Sequence, residues 1–190
     1  MNNIIVYELL LAGIMFPDPS ISAAISATRL LFTAYNGYQK GKLIDSDESL
    51  RTEVQGRIDR LRIQIDMLYT KAHRNKQRNL RSSLQDIIEI CDQFTSDARF
   101  GLSHSTNSKH AAAAKMNKKS LKVLIEHDFN TLDKLEICKN HIENLTNLIE
   151  TDSEESDLNT ISREIRKILV KSKEYFSQRK LIMYGYLDTQ

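Results

Sequence analysis

Apolar residues recur along this chain at spacings of three and four over most of its length, the period of helices that bury one face. Downstream of Leu50, the residues Val54, Ile58, Leu61, Ile65, Leu68 and Ala72 form a heptad seam of the kind that packs as a coiled coil. The seam weakens over His73 to Asn79 and resumes in shifted phase at Leu80, Leu84, Ile87, Cys91 and Phe94, so the helix either stutters or breaks near Asn75, and the stutter is the favoured reading. Residues 96–110 read as a polar loop around Gly101. The run Ala111 to Ala114 then opens a helix that continues to the region of Glu150 through Leu124, Leu132, Leu135, Cys138, Ile142 and Leu145. An acidic turn, Thr151 to Asp157, precedes a last helix carrying Leu158, Ile161, Ile165, Leu169, Phe176 and Ile182, with Ser156 or Asp157 as its cap.

The first 38 residues have a different character, with only Glu8, Asp18 and Arg29 charged. Ile4 to Phe16 is almost wholly apolar and is followed by Pro17-Asp18-Pro19. Its 13 residues at about 1.5 Å each reach about 20 Å, short of a hydrocarbon core about 30 Å thick. No Lys or Arg precedes the run and Glu8 interrupts it, so it does not match a secretory signal. From Ser20 to Tyr38 small residues dominate, with Ile21, Ala24, Ile25, Thr28, Leu31, Phe32 and Tyr35 at helical spacing. Gly37, Gly41 and the acidic run Asp45-Ser46-Asp47-Glu48 mark a turn and the start of the next helix, where acids suit the positive end of the dipole.

Beyond Pro19 the remaining 171 residues (190 − 19) contain no proline, which leaves long helices unbroken. The expected fold is all-α: an antiparallel helical bundle of four main helices with coiled-coil-like packing plus a short apolar N-terminal segment. It forms one domain over residues 1–190, divided into the segment 1–19 and the bundle 20–190. At 41% hydrophobic and 27% charged, the composition is that of an ordinary globular chain. A net charge of +2 singles out no polyanionic partner. Cys91 and Cys138 lie inside apolar patterns and read as buried thiols of a reducing, cytoplasmic setting. Residues 1–38 leave membrane association open.

Two basic stripes stand out: Lys71, Arg74, Lys76, Arg78 and Arg81, then Lys109, Lys115, Lys118, Lys119 and Lys122. Folding the chain back near residue 104 sets the first beside Glu126, Asp128, Asp133 and Glu136 and the second beside Asp86, Glu89 and Asp92. Interhelical pairing is therefore expected, with a nucleic-acid surface at Lys71, Arg74, Arg78 and Arg81 as the alternative. No tryptophan, and no aromatic interleaved with these cations, supplies a stacking platform.

Catalytic signatures are sparse. Arg99 and His104 have the R-x4-H spacing that resembles the signature of HEPN ribonucleases, α-helical bundles in which Arg and His flank the scissile phosphate. That resemblance implies a proton-transferring imidazole at His104 and a phosphate-holding guanidinium at Arg99, although Phe100 stands where the family often carries a polar residue. Cys138 and His141 lie one turn apart without further zinc ligands in sequence, and no P-loop, G-x-S-x-G or dinucleotide fingerprint occurs, so neither cofactor nor metal is expected. Asp18 to Ala24 (DPSISAA) resembles the opening of HeLo-type cell-death domains, helical bundles acting at membranes.

The sequence thus predicts a non-enzymatic helical interaction protein, an adaptor or small complex subunit, docking on another protein through Ile4, Ile5, Leu9, Leu10, Ile14 and Phe16. Homo-oligomerisation is open. A membrane-acting bundle using the apolar hairpin is the alternative, and a HEPN-like ribonuclease or nucleic-acid binder the second.

Overall fold

The computed structural model describes residues 19–38, 43–100, 118–151 and 153–183. Five helices and no strand occur among them: α1 (Pro19–Leu31), α2 (Leu43–Arg74), α3 (Arg78–Arg99), α4 (Lys118–Glu150) and α5 (Glu155–Met183). The all-α bundle expected from the periodicity is present. Its four walls are α2 to α5, and α1 lies alongside α4.

Of the two readings near Asn75, the favoured stutter does not occur and the break does, as a complete reversal between α2 and α3. Lys76 adopts φ 60°, and the Gln77 N–H donates back to the Ala72 carbonyl at 3.0 Å. Together these make the left-handed cap that ends helices, here on a lysine rather than the usual glycine. A stutter and a hairpin both preserve three-and-four spacing on either side of a phase shift, so periodicity does not separate them. The seam itself packs as expected, with Val54, Ile58, Ile65, Ala72, Leu80, Leu84, Ile87, Cys91 and Phe94 all fully buried.

Cross-helix contacts fix the directions. Arg62 pairs with Asp92 while Arg51 reaches the Arg99 carbonyl, so α2 and α3 are antiparallel. Asp86 faces Arg166 and Asp97 faces Lys173, so α3 and α5 run parallel. Arg57 reaches Glu136, and Arg179 joins Asp47 to Asp128, so α2 and α4 run parallel and α5 returns against α4. Around the bundle the order is α2, α3, α5, α4, which puts the consecutive helices α3 and α4 on a diagonal.

That diagonal overturns the expected charge register. With α3 and α4 apart, the first basic stripe does not meet Glu126, Asp128, Asp133 and Glu136, and the acids of α3 pair with Arg62, Arg166 and Lys173 instead.

Helix α1 buries Ile21, Ile25 and Thr28 and stops at Leu31, short of the helical spacing that runs on to Tyr35. Arg57 supplies the reason: its guanidinium donates to the Leu31 carbonyl while also pairing with Glu53 at 2.7 Å and Glu136 at 3.4 Å. A cation there suits the negative end of the helix dipole. The chain then turns through Gly37, whose φ of 65° favours glycine, and Ser46 donates to the Gly37 carbonyl at 2.7 Å. Both cysteines are buried and free. Burial pushes the Cys91 thiol up to about 12 and raises Cys138 as well.

Candidate functional site

One charged cluster in this bundle is sealed from water, and it ties the N-terminal arm to the walls. Arg179 of α5 is 3% exposed, Asp128 of α4 0% and Asp47 of α2 1%. The guanidinium donates through Nε to Asp128 Oδ1 at 2.9 Å and through Nη1 to Asp47, while Nη2 contacts the Tyr38 hydroxyl. Tyr35 donates to Asp128 Oδ2 at 2.9 Å, and Tyr38 donates to the same oxygen. Asp47 also holds Arg51 at 2.9 Å, and Arg51 with Gln55 caps the last carbonyls of α3 at Ala98 and Arg99.

Ions withdrawn from water cost several kcal/mol each unless every remaining lone pair and proton finds a partner. Here the tyrosines behind α1 complete the set, so the cluster is satisfied only when the arm is seated. Burial, reinforced by Asp128, pushes the Tyr35 phenol well above its ordinary value, and burial does the same at Tyr38. Both therefore act as neutral donors. The Asp128 carboxyl is itself raised by burial, against the opposing pull of Arg179 and the two hydroxyls. Closed to solvent, the cluster clamps the arm to the walls of the bundle.

The clamp presents one side of α1 outward. Ile21, Ile25 and Thr28 face inward, while Ala23 is exposed, Ala27 half-buried and Leu30 85% exposed. Between α1 and α4 an open cleft of about 400 Å³ is lined by Ser20, Ala23, Ala24, Ala27 and Phe129, with Lys122, Glu126 and Asn130 at its polar margin. Lys122 and Glu126 pair across one turn at 3.7 Å. Small residues along one side of a helix permit close approach of a second backbone.

A second buried group lies on the α4–α5 seam. His127 stacks on Tyr175 with ring centroids 4.1 Å apart, and its Nε2–H donates to the Tyr175 carbonyl at 2.8 Å. Lys134 Nζ sits over the Tyr175 ring, 4.7 Å from its centroid. Nδ1 is buried with no partner among the described residues. Burial lowers the His127 imidazole to about 4, so it is neutral at physiological pH.

The docking residues expected from the sequence, Ile4, Ile5, Leu9, Leu10, Ile14 and Phe16, lie outside the described residues, as does His104. Arg99 is exposed at the end of α3, and its carbonyl serves Arg51. Cys138 is buried while His141 meets Glu164 at 3.7 Å, so the two face different surroundings. The first basic stripe gathers at the α2–α3 turn. Lys71, Arg74, Lys76 and Arg78 enter no ion pair among the described residues, and Arg81 donates to His73 Nδ1 at 2.8 Å.

Asp47, Asp128 and Arg179 escape the sequence reading because each counts there as one more surface charge. A signal was present: Asp128 and Arg179 fall on the apolar stripes of their helices, between Leu124 and Leu132 and between Phe176 and Ile182. No protein family, curated protein or solved structure matches the chain.

Proposed function

We propose that this chain is a non-enzymatic helical interaction protein that docks onto another protein through its N-terminal arm, as an adaptor or small subunit. The observation that carries the reading is the outward side of α1, where Leu30 is 85% exposed beside the small-residue cleft. A clamped arm loses little conformational freedom on binding, which favours affinity. Ile4, Ile5, Leu9, Leu10, Ile14 and Phe16 precede α1 in sequence and are further docking residues in this proposal.

A photo-crosslinking amino acid at Ala27 of the full chain tests this in cells. The expected result is a protein adduct that falls at least about tenfold on Leu30→Glu, since burying a leucine contributes about 1.5–3 kcal/mol. Ile14→Asp with Phe16→Asp is expected to act in the same direction. An adduct unchanged by these substitutions overturns the proposal. So does flotation of the purified chain on liposomes that requires residues 1–19, which instead supports membrane action. No described helix is long and apolar enough to cross a membrane.

A further inference from the structure

The end of the bundle opposite the arm carries two turns of opposite charge that do not pair with each other. Arg74 lies 27 residues up α2 from Asp47 (74 − 47), about 40 Å at helical rise. The α2–α3 turn there brings Lys71, Arg74, Lys76, Arg78 and Arg81, and the α4–α5 turn brings Glu150, Glu154, Glu155 and Asp157. Register places the two turns level. Asp86 meets Arg166 at 3.8 Å on the parallel helices α3 and α5, so eight residues earlier Arg78 stands level with Leu158. None of these nine side chains enters an ion pair among the described residues; the salt bridges of the bundle all lie below them.

Helix dipoles account for some of this charge. Lys71 and Arg74 suit the negative end of α2, and Glu155 and Asp157 suit the positive end of α5. They do not account for Arg78 and Arg81 at the positive end of α3, whose first turn has no acid and whose cap Gln77 makes no capping hydrogen bond. Nor do they account for Glu150 at the negative end of α4, whose last turn has no basic residue. Each of these groups opposes its own helix, and the two sets have opposite sign.

We propose that this end is a self-association surface, in which the basic turn of one copy meets the acidic turn of a second. A two-fold axis perpendicular both to the bundle axis and to the line joining the two turns brings basic against acidic twice, the self-complementary arrangement a symmetric dimer requires. The same contact relieves Arg78 and Arg81 on one copy and Glu150 on the other. An extended polyanion fits less well, because the acidic turn lies level beside the cations. The surface is separate from the arm and leaves α1 free in both copies.

Light scattering with size exclusion on the full chain tests this at low and high ionic strength. Near 0.01 M salt, where screening extends over about 30 Å, the mass is expected to double; near 1 M, where it extends over about 3 Å, the monomer is expected. The monomer mass is 21.9 kDa. Arg74→Glu, Arg78→Glu and Arg81→Glu together abolish the doubling, as do Glu150→Lys, Glu154→Lys and Glu155→Lys together. An equimolar mixture of the two reversed proteins regains it as a heterodimer. Arg78→Gln with Arg81→Gln removes charges that oppose the α3 dipole, so this pair keeps the helix intact and is expected to weaken the dimer as well. A full chain that stays monomeric at low salt overturns the proposal, and so does a dimer that survives both reversals. Low-salt binding of a single-stranded oligonucleotide by a monomer, lost on reversing Arg74, Arg78 and Arg81, overturns it in favour of a nucleic-acid surface.

Discussion

Replacing Arg179 by methionine tests the clamp most directly. Methionine fills similar length without charge or donors, so the change removes the 2.9 Å contact to Asp128 and the contacts to Asp47 and Tyr38. Asp47 keeps Arg51 at 2.9 Å, whereas Asp128 keeps only the hydroxyls of Tyr35 and Tyr38. The penalty therefore concentrates on Asp128, a fully buried carboxylate left without a cation. Breaking a buried pair from one side costs about 3–5 kcal/mol, and for a chain of this size that lowers Tm by about 10 °C. The cost also depends on pH. Asp128 is already raised in the native protein, and losing Arg179 raises it further above its ordinary 3.8. A carboxyl raised in the folded state stabilises while protonated and loses that contribution as pH rises through its folded value. The deficit of Arg179→Met is thus largest at neutral pH. Acidification by two units recovers up to about 2.7 kcal/mol. Urea unfolding followed by circular dichroism, on both proteins at pH 7 and pH 5, measures it, and adding Asp128→Asn to the variant is expected to restore most of the loss at pH 7. A cost below about 1 kcal/mol at pH 7, or an equal cost at both pH values, refutes the reasoning.

His127 supplies a second pH dependence of opposite sign. Its folded value of about 4 lies below the ordinary 6.5, so its contribution is complete above pH 6.5 and falls as pH drops towards 4. The loss is on the order of 3 kcal/mol, and comparing acid titrations of wild type and His127→Gln isolates it, because the glutamine does not titrate. Gly56 lies inside α2, and a Cβ there meets only the flexible end of Arg60 at 3.5 Å. Gly56→Ala is accordingly expected to stabilise by about 0.5–1 kcal/mol in the same urea experiment. With Cys91 pushed up to about 12 and Cys138 raised too, a thiol reagent at pH 8 is expected to label neither in the folded chain and both in denaturant. Rapid labelling of the native protein would contradict the buried placement.

Periodicity alone determined the helical class and most of the core. A buried helix face repeats every three or four residues whatever it packs against, so the seam from Val54 to Phe94 was legible before any partner was known. The reversal at Lys76 was not, because its decisive feature is a backbone angle on a residue type that rarely adopts it. Topology was not legible either. Whether α4 packs beside α3 or across the diagonal leaves every local pattern unchanged, yet it decides which charges meet, and it moved the partners of Asp92 and Asp86 to α2 and α5. The clamp lies furthest from local reach. Tyr35 and Asp128 are separated by 93 positions and Asp47 and Arg179 by 132. Sequence determines that such groups exist and on which stripe they fall; only the closed bundle removes the water that would otherwise satisfy them one at a time.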